Sequence, residues 1–232
     1  MCRISVIIPT LNEEHFLRQT ITWLLLQADS PELLEILIID AGSTDFTLKS
    51  VDDLNVITYQ DPGLKGKKYS SLNMGISKAS GEVLIFLDAD TLVPHGFDST
   101  VKEVLQRKLI GGAFGLRFKE TNLRYRVLAL CNAIRYHLDG IYLGDQSIFC
   151  WAWAAKKVNG YDHNLMESAY FCRKLRKLGK VKVLSKWVYT SARRFEEHGF
   201  WKVLGFDIKI WARFLMGLEV AHYGRVYWSQ NG

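Results

Sequence analysis

The chain has 232 residues, 48% hydrophobic and 23% charged, with 30 Lys+Arg against 24 Asp+Glu and a formal net charge of +6. That is enough chain for one large domain with a real apolar core, and a basic balance favours an anionic partner: nucleotide, phosphate or acidic lipid. Nucleic acid is set aside because the cations form no single run and no nucleic-acid module signature occurs; no apolar stretch reaches spanning length and no leader is apparent at the N-terminus, so a cytoplasmic protein is expected.

Ile4–Ile8 reads as a buried strand stopped by Pro9. Thr10-Leu11-Asn12-Glu13 then has capping-box spacing ahead of a helix reaching about Gln27. A second buried strand, Glu35–Ile39, ends in the turn-rich loop Asp40–Asp45, and Asn55–Tyr59 reads as a short third strand. Ser70–Lys78 is helical, a strand leads to Asp88, a helix covers Phe97–Arg107, and Gly111–Phe118 is a strand. Strands spaced by helices predict an α/β fold with a mainly parallel, doubly wound sheet. The second half is less regular, with a helix at Arg124–Leu138, a strand at Ser147–Trp153, a basic helix at Ser168–Leu178 stopped at Gly179, and a helix at Phe200–Met216. No repeat or Pro/Gly-rich linker divides the chain. One domain over 1–232 is expected, its halves 1–118 and 119–198 followed by an amphipathic aromatic tail, 199–232.

The chemistry-bearing pattern is Leu84–Leu87 ending in Asp88-Ala89-Asp90. Side chains two apart on an extended backbone point the same way, so both carboxylates face one ligand at the end of a buried strand, where open α/β sheets bind ligands. Two such anions repel unless a cation lies between them, and hard oxygens suit Mg²⁺ or Mn²⁺, which keeps positions for substrate phosphates. A turn in which Asp caps backbone amides explains that pattern equally well on its own. Three strand ends carrying acidic or polar residues (Asn12/Glu13, Asp40/Ser43/Asp45, Asp88/Asp90) favour a site. The Gly-rich fingerprints of dinucleotide and P-loop proteins are absent. Cys2, Cys131, Cys150 and Cys172 have no metal-site spacing and are read as inert thiols.

Ile7-Ile8-Pro9-Thr10-Leu11-Asn12-Glu13-Glu14, Ile39–Asp45, Gly66-Lys67 with Leu72–Gly75, and Leu87–Asp90 resemble, in order, the signature of family 2 glycosyltransferases with the GT-A fold. Gly144–Phe149 and Ser191–Phe195 resemble a small bacterial and archaeal subgroup. The resemblance implies metal-dependent transfer of a sugar from a nucleotide diphosphate sugar to an acceptor, lipid-linked or small, with inversion. It implies a nucleotide-sugar pocket built from Pro9, Thr10, Asn12, Glu13, Asp40, Ser43, Asp45, Lys67, Asn73, Asp88, Ala89, Arg193 and Arg194, with Asp90 and Asp88 on the metal. A divalent cation with Lys67 or Arg193/Arg194 would stabilise the departing diphosphate.

The sequence departs from the family where a Glu-Asp pair should open a helix. Met166-Glu167-Ser168 puts Ser168 at the expected acid, and a hydroxyl is no base unaided. Glu167, Asp145 or Asp162 could serve, or the chain could be a catalytically impaired nucleotide-sugar-binding module. A sugar-1-phosphate nucleotidyltransferase is less favoured, lacking a Gly-rich loop with Arg after the first strand. His198 is read as a solvent-facing helix residue rather than a third metal ligand, and Arg173-Lys174/Arg176-Lys177 as a solvated helix face. The aromatic tail (Trp201, Phe206, Trp211, Phe214, Tyr223, Tyr227, Trp228) is read as packing on its own core or a dimer partner, with peripheral membrane contact at the inner face as the alternative.

Overall fold

Four apolar segments of the first half pair in parallel: β1 (Ile4–Thr10) lies between β2 (Leu34–Asp40) and β4 (Val83–Phe86), and β3 (Ile57–Gln60) adds to β2. In this computed structural model, which describes residues 2–224, the second half completes the same sheet. β6 (Phe149–Trp151) runs antiparallel between β4 and β5 (Gly111–Phe118), and β7 (Val181–Thr190) is parallel to β5. The order is β3-β2-β1-β4-β6-β5-β7.

Period-two alternation along buried strands loads both faces of this sheet. Val6 and Ile8 of β1 face one core with Leu17, Ile21 and Leu24 of α1 (Leu17–Gln27) and Phe97 and Val101 of α3 (Phe97–Gln106). Ile7 faces the other core, with Leu72 and Ile76 of α2 (Lys68–Lys78), Ala154 of α5 (Ala152–Lys157), and Phe171 and Leu175 of α6 (Glu167–Leu178). Each fully buried Val, Leu, Ile or Phe side chain among these contributes about 1.5–3 kcal/mol of transfer free energy. The remaining helices are α4 (Leu123–Asp139), α7 (Arg193–His198) and α8 (Phe200–Leu215).

Parallel pairing brings the strand C-termini to one edge. Thr10 is level with Asp40, and Ile7 with Phe86, so Asp88 comes level with Pro9. Pro9 does not stop β1. The Thr10 carbonyl accepts from Ala41 N on the β2 side and that of Ile7 from Leu87 N on the β4 side. Pro9 therefore turns its missing N–H toward β4, beyond the last residue of that strand.

Several expectations are corrected. The capping box at Thr10–Glu13 does not form, because Thr10 is still in β1 and α1 starts at Leu17. Asn12 instead adopts φ 56°, and residues 12–14 dock on the loop after β2: Asn12 N donates to Ser43 Oγ (2.9 Å), Glu13 N to Thr47 Oγ1 (2.7 Å) and Glu14 N to Asp45 Oδ2 (3.2 Å). The expected strand over 147–153 is cut to Phe149–Trp151, since Ala152 and Trp153 already begin α5. β7 and α7 were not anticipated. The basic cluster of α6 is no simple solvated face: Arg176 caps α4 by donating to the carbonyls of Asp139 (2.6 Å) and Gly140 (3.2 Å), Lys174 pairs with Asp162, and Arg173 covers the Phe214 ring. Tyr227 and Trp228 lie outside the described residues.

Candidate active site

The end of β1, the turn before α2, the end of β4 and the segment opening α7 enclose a cleft of about 620 Å³. Pro9, Thr10, Asn12 and Glu13 form one wall and Lys67 and Lys68 a second, with Asp88, Ala89 and Asp90 at the floor. Arg193, Arg194, Glu197 and His198 close the far side, delivered by β7 and the turn at Ser191. Thus ten of the expected residues, Arg193 and Arg194 among them, meet in one cavity.

Ion pairs organise this cleft. Arg193 forks onto Glu13 with contacts of 3.0 and 3.1 Å, lies 3.9 Å from Asp90, and stacks its guanidinium over Phe16. Lys68 Nζ meets Asp88 Oδ1 at 2.6 Å, and Arg194 pairs with Asp207. Asp90 keeps an excess of negative surroundings. Burial, then Asp88 and Glu13, push its carboxyl up to about 6 against the pull of Arg193 and Lys119. Burial also pulls the Lys119 ammonium down.

This charge pattern fits a divalent cation. Among the described residues no group of three His, Cys, Asp or Glu side chains could hold a metal. Two hard carboxylates with uncompensated charge suit the kind of site in which phosphate oxygens and water complete the shell of Mg²⁺ or Mn²⁺. His198 reaches the cleft wall rather than facing only solvent.

Four expected residues lie outside the cleft lining and bond within the frame. Asp40 is fully buried and its carboxylate accepts from Thr10 Oγ1, Gly42 N, Ser43 N, Ser43 Oγ and Gln60 Nε2. It holds the loop beneath the cleft, whose wall is made by its neighbour Ala41. Ser43 and Asp45 tie that loop to residues 12–14, and the Thr47 hydroxyl and amide hold the Asp45 carboxyl below its usual range against the effect of burial. Asn73 clasps Tyr161, donating to its carbonyl (2.7 Å) and accepting from its N–H (2.8 Å). Gly160, at φ 57°, leaves the space that Asn73 Oδ1 occupies.

Behind the Lys68–Asp88 pair lie the acids of the second half. A methyl placed at Gly144 would meet Ser168 Oγ at 3.0 Å, Lys68 Nζ at 3.7 Å and Asp88 Oδ2 at 4.0 Å, so four segments converge here. Burial and then Asp88 push Asp145 up to about 6, with Arg135 and Lys68 opposing, and its buried Oδ1 has no hydrogen-bond partner. Burial likewise raises Glu167 at the head of α6, against Lys68. Neither lines the cleft proper. Asp162 sits apart, paired with Lys174 (3.0 Å) and His163 (2.6 Å). Sequence reasoning missed Lys68, Lys119 and Glu197. Lys68 adjoins an expected residue, but only the register of α2 tells which lysine reaches Asp88.

The family model "Glycosyl transferase family 2" matches residues 5–158. A Haemophilus influenzae protein described as an uncharacterized glycosyltransferase is 32% identical over 115 residues, covering 46% of this chain and 44% of the relative. Glycosyltransferase GlyG of Streptococcus pneumoniae is 30% identical over 109 residues, covering 45% and 36%. The chain therefore spans less than half the length of these relatives. Among solved structures, Staphylococcus aureus TarS 1–349 in complex with UDP-GlcNAc superposes with TM-score 0.62 at 20% identity, covering 82% of this chain and 58% of that one. Mannosyltransferase PcManGT from Pyrobaculum calidifontis, in complex with GDP-Man and Mn²⁺, gives 0.62 at 20%, covering 82% and 57%. The fold is GT-A, and by the match over residues 5–158 the chain belongs to glycosyl transferase family 2.

Proposed function

We propose that the protein transfers a sugar from a nucleotide diphosphate sugar to an acceptor hydroxyl, with a divalent cation at Asp88 and Asp90. The observation that carries this reading is one cleft in which paired carboxylates at a strand end face Lys67, Lys68, Arg193 and Arg194. Such an arrangement suits a diphosphate, and the nucleotide-sugar complexes of TarS and PcManGT support it. When bound, the cation would supply charge neutralisation for the departing diphosphate. The side chains of Lys67, Arg193 and Arg194 add fixed positive charge where negative charge develops. The base is Glu167 or Asp145, which lie behind the Lys68–Asp88 pair and whose carboxyls burial raises, so that each takes up a proton more readily than a free carboxylate. A single displacement by the deprotonated hydroxyl inverts the anomeric carbon.

The test is a thermal-shift screen of UDP-, GDP- and dTDP-sugars with and without Mn²⁺, since a ligand of the folded state stabilises by mass action. Asp90→Ala is expected to abolish the Mn²⁺-dependent shift, and an unchanged shift refutes the metal assignment. With a donor in hand, Glu167→Gln and Asp145→Asn separate the two bases, the true one losing about 10²–10⁴-fold in turnover with donor binding kept. Ser168 at the position of the expected acid favours a second reading, a nucleotide-sugar-binding module without turnover. Transfer or donor hydrolysis above background rejects it, whereas activity appearing only in Ser168→Asp supports it.

A further inference from the structure

The face of α4 turned away from the sheet is apolar. Leu123, Val127, Leu130, Ile134 and Leu138 recur every three or four residues, which makes one stripe, and all are exposed, Leu138 at 83%. Tyr125 and Tyr136, the residues α4 buries, lie on its opposite side. In α8 the arrangement repeats: Val203, Ile210 and Phe214 are buried, while Trp201 (80% exposed), Ile208 and Leu215 point outward, two turns apart. The two helices touch at two points, in the same order along each. The Tyr125 and Phe200 rings meet at 5.8 Å, and further along both helices Arg135 covers Trp211 at 4.4 Å. Each helix therefore presents an apolar stripe to solvent, larger than single scattered side chains would make.

Charge decides what covers these stripes. Exposed Arg124 and Arg126 flank the α4 stripe on its two edges, and exposed Lys202 and Lys209 follow one edge of the α8 stripe. The carboxylates of these helices are engaged internally, Asp139 with Arg135 and Asp207 with Arg194. A second copy packed on them would set cationic rim against cationic rim, whereas anionic headgroups complement them. No helix among the described residues is long and apolar enough to cross a membrane.

We propose that the outward stripes of α4 and α8 seat the protein peripherally on an anionic lipid bilayer, the stripes at the acyl boundary and the flanking cations among headgroup phosphates. This uses no cleft residue and stands apart from the transfer reaction. The test is co-sedimentation of the full chain with phosphatidylcholine vesicles, with and without phosphatidylglycerol. Binding to the anionic vesicles is expected, weakened by salt and by omitting phosphatidylglycerol. Leu130→Ser/Ile134→Ser/Ile208→Ser, exposed positions whose folding is checked by thermal melting, should weaken it about tenfold or more. Arg126→Glu/Lys202→Glu should weaken it about tenfold on anionic vesicles alone. Asp90→Ala should bind vesicles as wild type does, which separates this inference from the cleft assignment. Wild type remaining in the supernatant, or a serine variant sedimenting unchanged, overturns it. So does a dimer, indifferent to vesicles, that the same serine substitutions dissolve.

Discussion

Asp145→Asn should stabilise the protein. The carboxyl has a buried, unpartnered Oδ1 and is pushed from 3.8 to about 6, chiefly by burial and then by Asp88. An acid whose pKa rises on folding opposes folding once ionised: the penalty is full above the folded value and vanishes below the unfolded one. A rise of about two pH units corresponds to roughly 3 kcal/mol at pH 7.5, falling to about half of that by pH 5. The amide must still be desolvated, so a net gain of about 1–2 kcal/mol is expected near neutrality. For a chain of this size that is a rise in Tm of about 2–8 °C. The assay is thermal melting of both proteins from pH 4 to 8, and the gap should close as pH falls. A variant that melts lower at pH 7.5, or a gap independent of pH, refutes the argument. If Asp145 is also the base, the stabilised variant is inactive, as expected where strain is held at a working site.

Asp40→Ala should cost about 3 kcal/mol or more in chemical denaturation, because five donors lose a fully buried acceptor; a loss confined to nucleotide binding would contradict the frame role. Gly160→Ala should cost about 2 kcal/mol, from its positive φ and its encounter with Asn73 Oδ1. In an Asn73→Ala background the second part disappears, and strict additivity of the two substitutions refutes the contact. Lys68→Met should destabilise by about 1–3 kcal/mol by leaving Asp88 facing Asp145 and Glu167 without its cation. Asp88→Asn should recover much of that loss, and an equal cost in both backgrounds argues against the pair.

The legible parts of the fold were those written in local period. Val6–Ile8, Ile36–Ile39 and Leu84–Leu87 are continuous apolar runs, as strands buried on both faces are, and they form the parallel centre of the sheet. β7 escaped because it lies at the sheet edge, where only Leu184, Val188 and Thr190 are buried. Its alternation is also broken where Ala113 pairs Val183 but Gly115 pairs Trp187, an irregularity no local rule announces. The false capping box at Thr10 shows the opposite failure. The spacing was right, but a hydroxyl already committed to Asp40 across the sheet cannot cap.

The site divides along the same line. Residues that follow a strand end directly, such as Asp88, Asp90 and Glu13, could be placed because chain direction alone carries them to the cleft. Asp40 ends a strand too, yet turns inward, where its fully buried carboxylate collects five hydrogen bonds from Thr10, Gly42, Ser43 and Gln60. An acidic loop residue is therefore either the ligand's acceptor or the loop's own, and the count of local donors decides which. By that measure, of Asp40, Asp88 and Asp90, it is Asp90 that has the fewest close donors: Asp88 and Glu13 repel it, and Thr91 Oγ1 and the Arg193 guanidinium stand at 3.5 and 3.9 Å. Asp88 is open only to a ligand able to share or replace Lys68.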